Sequence, residues 1–114
     1  MKSMLPATIL VVDDNRGILS AAELLLRAHF RRVVTTHNPE RIRALIRDES
    51  PDVVLLDMNF HAGINSGNEG LFWLAEIRKL RPAPAVVLFT AYADIDLAAP
   101  ATRDARVVRT RWDR

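Results

Sequence analysis

Apolar positions in this chain come in short blocks of two alternating kinds. Ile9 to Val12, Val33 to Thr36, Val53 to Leu56 and Ala85 to Phe89 are unbroken apolar or β-branched runs, the kind that a strand covered on both faces requires. Between them the apolar residues recur at helical spacing. Ile18, Leu19, Ala22, Leu25 and Leu26 predict one buried helix face, with Glu23 and Arg27 as an i,i+4 pair on the other side. Ile42, Leu45 and Ile46 predict a second helix over Arg41 to Arg47, with Pro39 suited to its first turn. Leu71, Trp73, Leu74 and Ala75 predict a third over Leu71 to Leu80, and Phe72 and Trp73 are expected to pack helix against sheet. The order β-α-β-α-β-α-β predicts a doubly wound parallel α/β sheet with right-handed crossovers.

The polar residues fall where these runs stop. The first strand runs into Asp13, Asp14 and Asn15, the third ends in Asp57, and the fourth ends in Thr90. Parallel strands bring their carboxyl ends to one edge, where ligands of open α/β sheets collect. Three carboxylates and a hydroxyl should therefore share one crevice. Carboxylates that close repel one another unless a cation neutralises them, and an oxygen-only donor set favours a hard ion such as Mg²⁺ over zinc. An acid able to act as nucleophile, beside such an ion and a hydroxyl, suits phosphoryl transfer. Taken singly, each has a plainer explanation: Asp57 as a polar stop, Asp13 and Asp14 as acids favoured by a helix dipole, Thr90 as a satisfied strand-end residue.

Residues 59–70 hold three glycines and three asparagines, the composition of a loop with positive backbone angles. His29, His37 and His61 are too scattered for a metal set and read as surface or loop residues. At 114 residues and 49% hydrophobic the chain is one domain with ample material for a core. It has no cysteine, so disulfide scaffolds and Cys-based zinc or redox sites are excluded. No apolar run is long enough to span a bilayer, and the first residues lack a signal-peptide apolar region, so a cytoplasmic location is expected. The net charge is +2 and the pI about 9.7, but Arg103, Arg106, Arg109, Arg111 and Arg114 crowd into the tail. With no helix-turn-helix pattern or aromatic platform, no direct nucleic-acid contact is expected.

The segments I-L-V-V-D-D-N at 9–15, V-V-L-L-D-M-N at 53–59 and V-V-L-F-T-A-Y at 86–92 together resemble the receiver domain of two-component response regulators. The match covers 7–97, within a single domain of 1–114. The resemblance implies a flavodoxin-like sheet of order 2-1-3-4-5. It implies that Asp57 accepts a phosphoryl group from a sensor histidine kinase, and that Asp13, Asp14, Asp57 and the main-chain carbonyl of Asn59 hold Mg²⁺. Thr90 would bond a phosphoryl oxygen and shift on phosphorylation, changing the surface offered to an output domain or partner protein; a homodimer is also open. The D-M-N-F segment followed by a Gly/Asn loop is similar to receivers of sigma-54-dependent activators.

The tail at 98–114 departs from the family. Pro100 falls where a fourth helix should continue, at roughly 3 kcal/mol if that helix persists. V-V-R-T-R-W-D-R matches the family's fifth strand loosely, and its lysine is absent: Arg109 is the best match by sequence and Arg111 by spacing from Thr90. Nothing remains for a fifth helix. Either the domain is a divergent receiver, or the last 15 residues or so are out of frame or cross a boundary, which the abrupt change to Ala, Arg, Pro and Thr favours. Two other classes share parts of this pattern. A pseudo-receiver, a pure protein-binding module, fits the missing lysine. A haloacid-dehalogenase-type phosphatase needs an acid two residues past the nucleophile, where Asn59 stands. The domain is therefore expected to be a regulatory phosphoacceptor and not an enzyme with a separate substrate.

Overall fold

The computed structural model describes residues 5–57, 68–90 and 106–109. Five parallel strands, β1 (Leu5–Val12), β2 (Phe30–Thr36), β3 (Val53–Asp57), β4 (Ala85–Thr90) and β5 (Arg106–Arg109), form one sheet in the order β2-β1-β3-β4-β5. Helices α1 (Arg16–Leu26), α2 (Ile42–Glu49) and α3 (Asn68–Arg78) connect them. The doubly wound sheet expected from the alternation is present. So is a fifth strand: Arg-Val-Val-Arg, with little local strand signal, lies beside β4 with Val107 opposite Leu88 and Val108 opposite Phe89.

The ends of the elements follow from local chemistry. Asn15 caps α1, its side chain accepting the Ile18 N–H at 3.0 Å. A 3₁₀ turn, Pro39–Arg41, leads into α2, capped by the Asn38 side chain accepting from Glu40 N–H. Helix α2 closes on Ser50, which takes a left-handed conformation at φ 48 and donates its N–H to Ile46; Pro51 cannot continue the helix. Asp52 then ties three strands together at their entry. Its carboxylate accepts the Thr8 N–H at 2.9 Å, its N–H donates to Thr8 O, and its carbonyl accepts from Ala85 N–H.

Alternation along the strands splits the core into two layers. Leu10, Val12, Val54, Leu56, Val86 and Leu88 face α2 and α3, meeting Ile42, Trp73, Leu74 and Ile77. Ile9 and Val11 face α1 and meet Leu19, while Val53 and Leu55 on that side are only partly buried. Three positions expected to face inward do not. Leu25 is 69% exposed because α1 turns Leu19 and Leu26 to the sheet; Leu25 lies six residues from Leu19, about 120° round a 3.6-residue helix. In α3 the buried stripe is Trp73, Leu74 and Ile77, which puts Phe72 (53% exposed) and Ala75 on the outer face. Phe72 instead sits edge-on to Trp73, ring centroids 4.9 Å apart. Among the described residues, no helix is long and apolar enough to cross a membrane.

A candidate acidic metal centre at the carboxyl edge

The register of the sheet decides which polar residues meet. Val12 of β1 is opposite Leu56 of β3, so the next residues along, Asp13 and Asp57, lie side by side at the carboxyl edge of the sheet. Asp57 is level with Phe89, and Thr90 with Arg109, so Thr90 closes β4 at the same edge with Arg109 beside it at the end of β5. For Thr90 and Arg109 this is a placement of backbone. Asn59 and Arg111 lie outside the described residues.

Asp13, Asp14 and Asp57 each bring a carboxylate oxygen within 4.8 Å of the others. These are the three acids that the strand ends nominated. Asp13 is the buried member, 4% exposed, Asp57 is half-buried and Asp14 is exposed. The turn after β1 holds Asp13 firmly: its N–H donates to Thr36 O at 3.2 Å and its carboxylate accepts the Asn15 N–H at 2.9 Å. An apolar cavity of about 320 Å³ lies under α1, lined by residues such as Val11, Ile18 and Leu55, with Asp13 and Asp57 at its rim.

That surrounding explains the electrostatics. Burial pushes the Asp13 carboxyl up to about 6 and the Asp14 charge adds to the rise, against the lowering effect of the Asn15 N–H. A hard divalent cation fits this donor set. It would replace the lost hydration of Asp13 and offset the mutual repulsion with oxygen ligands alone.

The native-state value of about 6 lies above the ordinary 3.8, so the native state binds this proton more tightly than the unfolded chain does. Its contribution to stability is complete below about pH 4 and is lost as pH rises through 6, on the order of 2 kcal/mol after allowing for screening at the pocket mouth. Urea unfolding at pH 4.5 and pH 7 in EDTA should show this loss in the wild type but not in Asp13→Asn, and millimolar Mg²⁺ should remove it. Equal pH dependence in both proteins would show that Asp13 is not the titrating group.

One contact near the edge had no sequence signal. Arg16 Nη2 lies 3.1 Å from His37 Nε2, joining the turn after β1 to the turn after β2. Neither residue has a spacing or motif that would pair them before the two strands are known to be neighbours.

Comparison with known proteins agrees with this geometry. The family model described as the response regulator receiver domain matches residues 9–107. The transcriptional regulatory protein GlrR of Escherichia coli (strain K12) is 34% identical over 99 residues, covering 86% of this chain and 21% of that protein. The chain thus spans about a fifth of the length of the curated relatives it matches. Among solved structures, the N-terminal signal receiver domain of a two-component response regulator from Bacteroides fragilis superposes with a TM-score of 0.78 at 47% identity, over 95% of this chain and 87% of that one. The response regulator TrrA of Thermotoga maritima, crystallised in complex with Mg²⁺ and BeF, gives 0.72 at 28% identity, over 93% and 88% of the two chains.

Proposed function

The chain belongs to the response regulator receiver domain family, and from that premise we propose that Asp57 accepts a phosphoryl group in an Mg²⁺-dependent step and thereby switches the surface presented to a partner or output domain. The observation that carries this is the meeting of Asp13, Asp14 and Asp57 within 4.8 Å at the carboxyl edge of the sheet. An Asp57 carboxylate oxygen attacks phosphorus in line. The new O–P bond forms as the donor's bond to phosphorus breaks, and the leaving group departs with that electron pair. From a kinase the leaving atom would be a histidine ring nitrogen; from acetyl phosphate it is the acetate oxygen. Mg²⁺ held by Asp13, Asp14, Asp57 and the Asn59 carbonyl would offset the charge on the phosphoryl oxygens.

The other residues act through position. Asp13, fixed by the Asn15 N–H and anchored to Thr36, keeps its carboxylate aimed at the centre. Thr90, at the end of the neighbouring strand, would donate its hydroxyl hydrogen to a phosphoryl oxygen, and Arg109, opposite Thr90, would supply the cation that the family takes from lysine. Arg111 is the alternative source of that cation. The new charge favours the conformer in which these groups close on it, and the signal is that shift in population. The similarity to a transcriptional regulatory protein supports an output domain as the partner; a sensor histidine kinase would be the donor.

Intact mass after incubation with acetyl phosphate tests the proposal. One phosphoryl adduct is expected with Mg²⁺ and none in EDTA. The arginine opposite Thr90 favours a second reading, a module that keeps the fold for protein binding alone. A folded, Mg²⁺-binding protein that takes up no phosphoryl group would establish that reading in place of the first.

A further inference from the structure

A second concave surface lies at the opposite edge of the sheet, where β3 and β4 begin. It is a groove of about 800 Å³ between the end of α2 and the turn before β4. Arg43 and Arg47, one turn apart on α2, and Arg81 from the turn supply three guanidinium groups. Ile46, Pro51 and Pro84 supply apolar wall between them. The groove's own carboxylate, Asp52, is already engaged by the Thr8 N–H.

We propose that this groove binds an extended, acidic peptide segment of a partner protein, carboxylates on the arginines and apolar side chains against the proline and isoleucine wall. Charge complementarity is the argument, and the state of each arginine supports it. Arg47 is 74% exposed and, among the described residues, is paired with its sequence neighbour Asp48 alone, an exposed pair that contributes little. Arg43 is 56% exposed, paired with Glu76 and lying 5.7 Å from the Trp73 ring centre. Glu76 also accepts from Lys79 at 3.0 Å, so turning Arg43 to a ligand leaves that carboxylate paired. Arg81 donates to the Arg78 and Leu80 carbonyls and, among the described residues, has no acidic partner.

A compact anion fits less well. Helices α2 and α3 both end here, with their carbonyl poles toward the groove, which disfavours a concentrated negative charge. Among the described residues, none of the lining side chains is a buried polar group of the kind that would grip a small ion. Carboxylates spaced along an extended chain reach the exposed guanidiniums while staying clear of those carbonyls. The groove is separated from the acidic centre by the length of β3, roughly 15 Å, so it can be filled while that centre is in use.

The test uses the full chain and a fluorescein-labelled six-residue peptide alternating Glu and Leu, read by anisotropy. Saturable binding is expected, weakened at least tenfold by Arg47→Glu, unchanged by the same charge reversal at the exposed Arg31 on β2, and unchanged by Asp57→Asn. Far-UV circular dichroism confirms that Arg47→Glu folds. Equal binding of the Gln-for-Glu peptide, or equal loss in Arg31→Glu and Arg47→Glu, would overturn the proposal, as would no binding at all. Arg47-dependent binding of ATP without binding of the peptide would overturn it in favour of a small anion.

Discussion

Asp57→Asn should abolish the phosphoryl adduct completely while leaving the protein folded. The amide has nearly the shape of the carboxylate, so strand β3 and its pairing with β1 and β4 are undisturbed. It is not a useful nucleophile toward phosphorus, and the reaction stops at the first bond. The substitution also removes one of three mutually repelling charges within 4.8 Å, so the variant should be no less stable than the wild type in EDTA. Mg²⁺ binding should weaken as a ligand is lost. Intact mass on wild type and variant in parallel, with a urea curve on each, separates chemistry from folding. An adduct of undiminished yield in Asp57→Asn would move the acceptor to another carboxylate and end the assignment.

The parts of the molecule that could be read from the sequence are those fixed by local pattern. Each apolar run is a strand because its residues suit a doubly covered sheet, and each acid at its end follows from where the run stops. The site is legible for the same reason: parallel strands leave no choice of edge, so Asp13, Asp14 and Asp57 must converge once the alternation is seen. What pattern alone misses is set by neighbours. Strand β1 begins at Leu5 and β2 at Phe30 because those residues pair with each other, although Pro6 and the Arg31-Arg32 pair argue locally against strand. β5 is a strand by virtue of the open edge of β4. The rotation of α1 and α3 about their axes, which exposes Leu25 and Phe72, depends on how each helix settles on the sheet. The basic groove draws its arginines from α2 and from a turn beyond α3, and only the tertiary fold brings them together.

The asymmetry of the two core layers leads to the largest stability effect. Leu56 has no exposed surface and lies in the layer between the sheet and the helices α2 and α3; its neighbours in the sheet register are Val12 and Leu88, themselves buried. Leu56→Ala removes buried apolar surface and leaves a cavity that two packed helices cannot collapse, at a cost of about 2–5 kcal/mol. Domains of this size have only about 5–15 kcal/mol in all. The melting temperature should fall by about 10–20 °C. Leu55 makes the comparison decisive. It is the preceding residue on the same strand but faces α1, where it is only partly buried beside an apolar cavity that a side chain or water can relax into. Leu55→Ala should therefore cost less than half as much. Calorimetry on the two variants measures the difference directly: equal losses would mean that the α1 face is packed as tightly as the other. A large loss for Leu56→Ala alone would place the folding energy in the α2/α3 layer. The acidic centre, whose Asp13 and Asp57 share the α1 face with Val11 and Leu55, would then stand on the looser side of β3, free to adjust when charge arrives at Asp57, with the α2/α3 layer behind it as the stiff support.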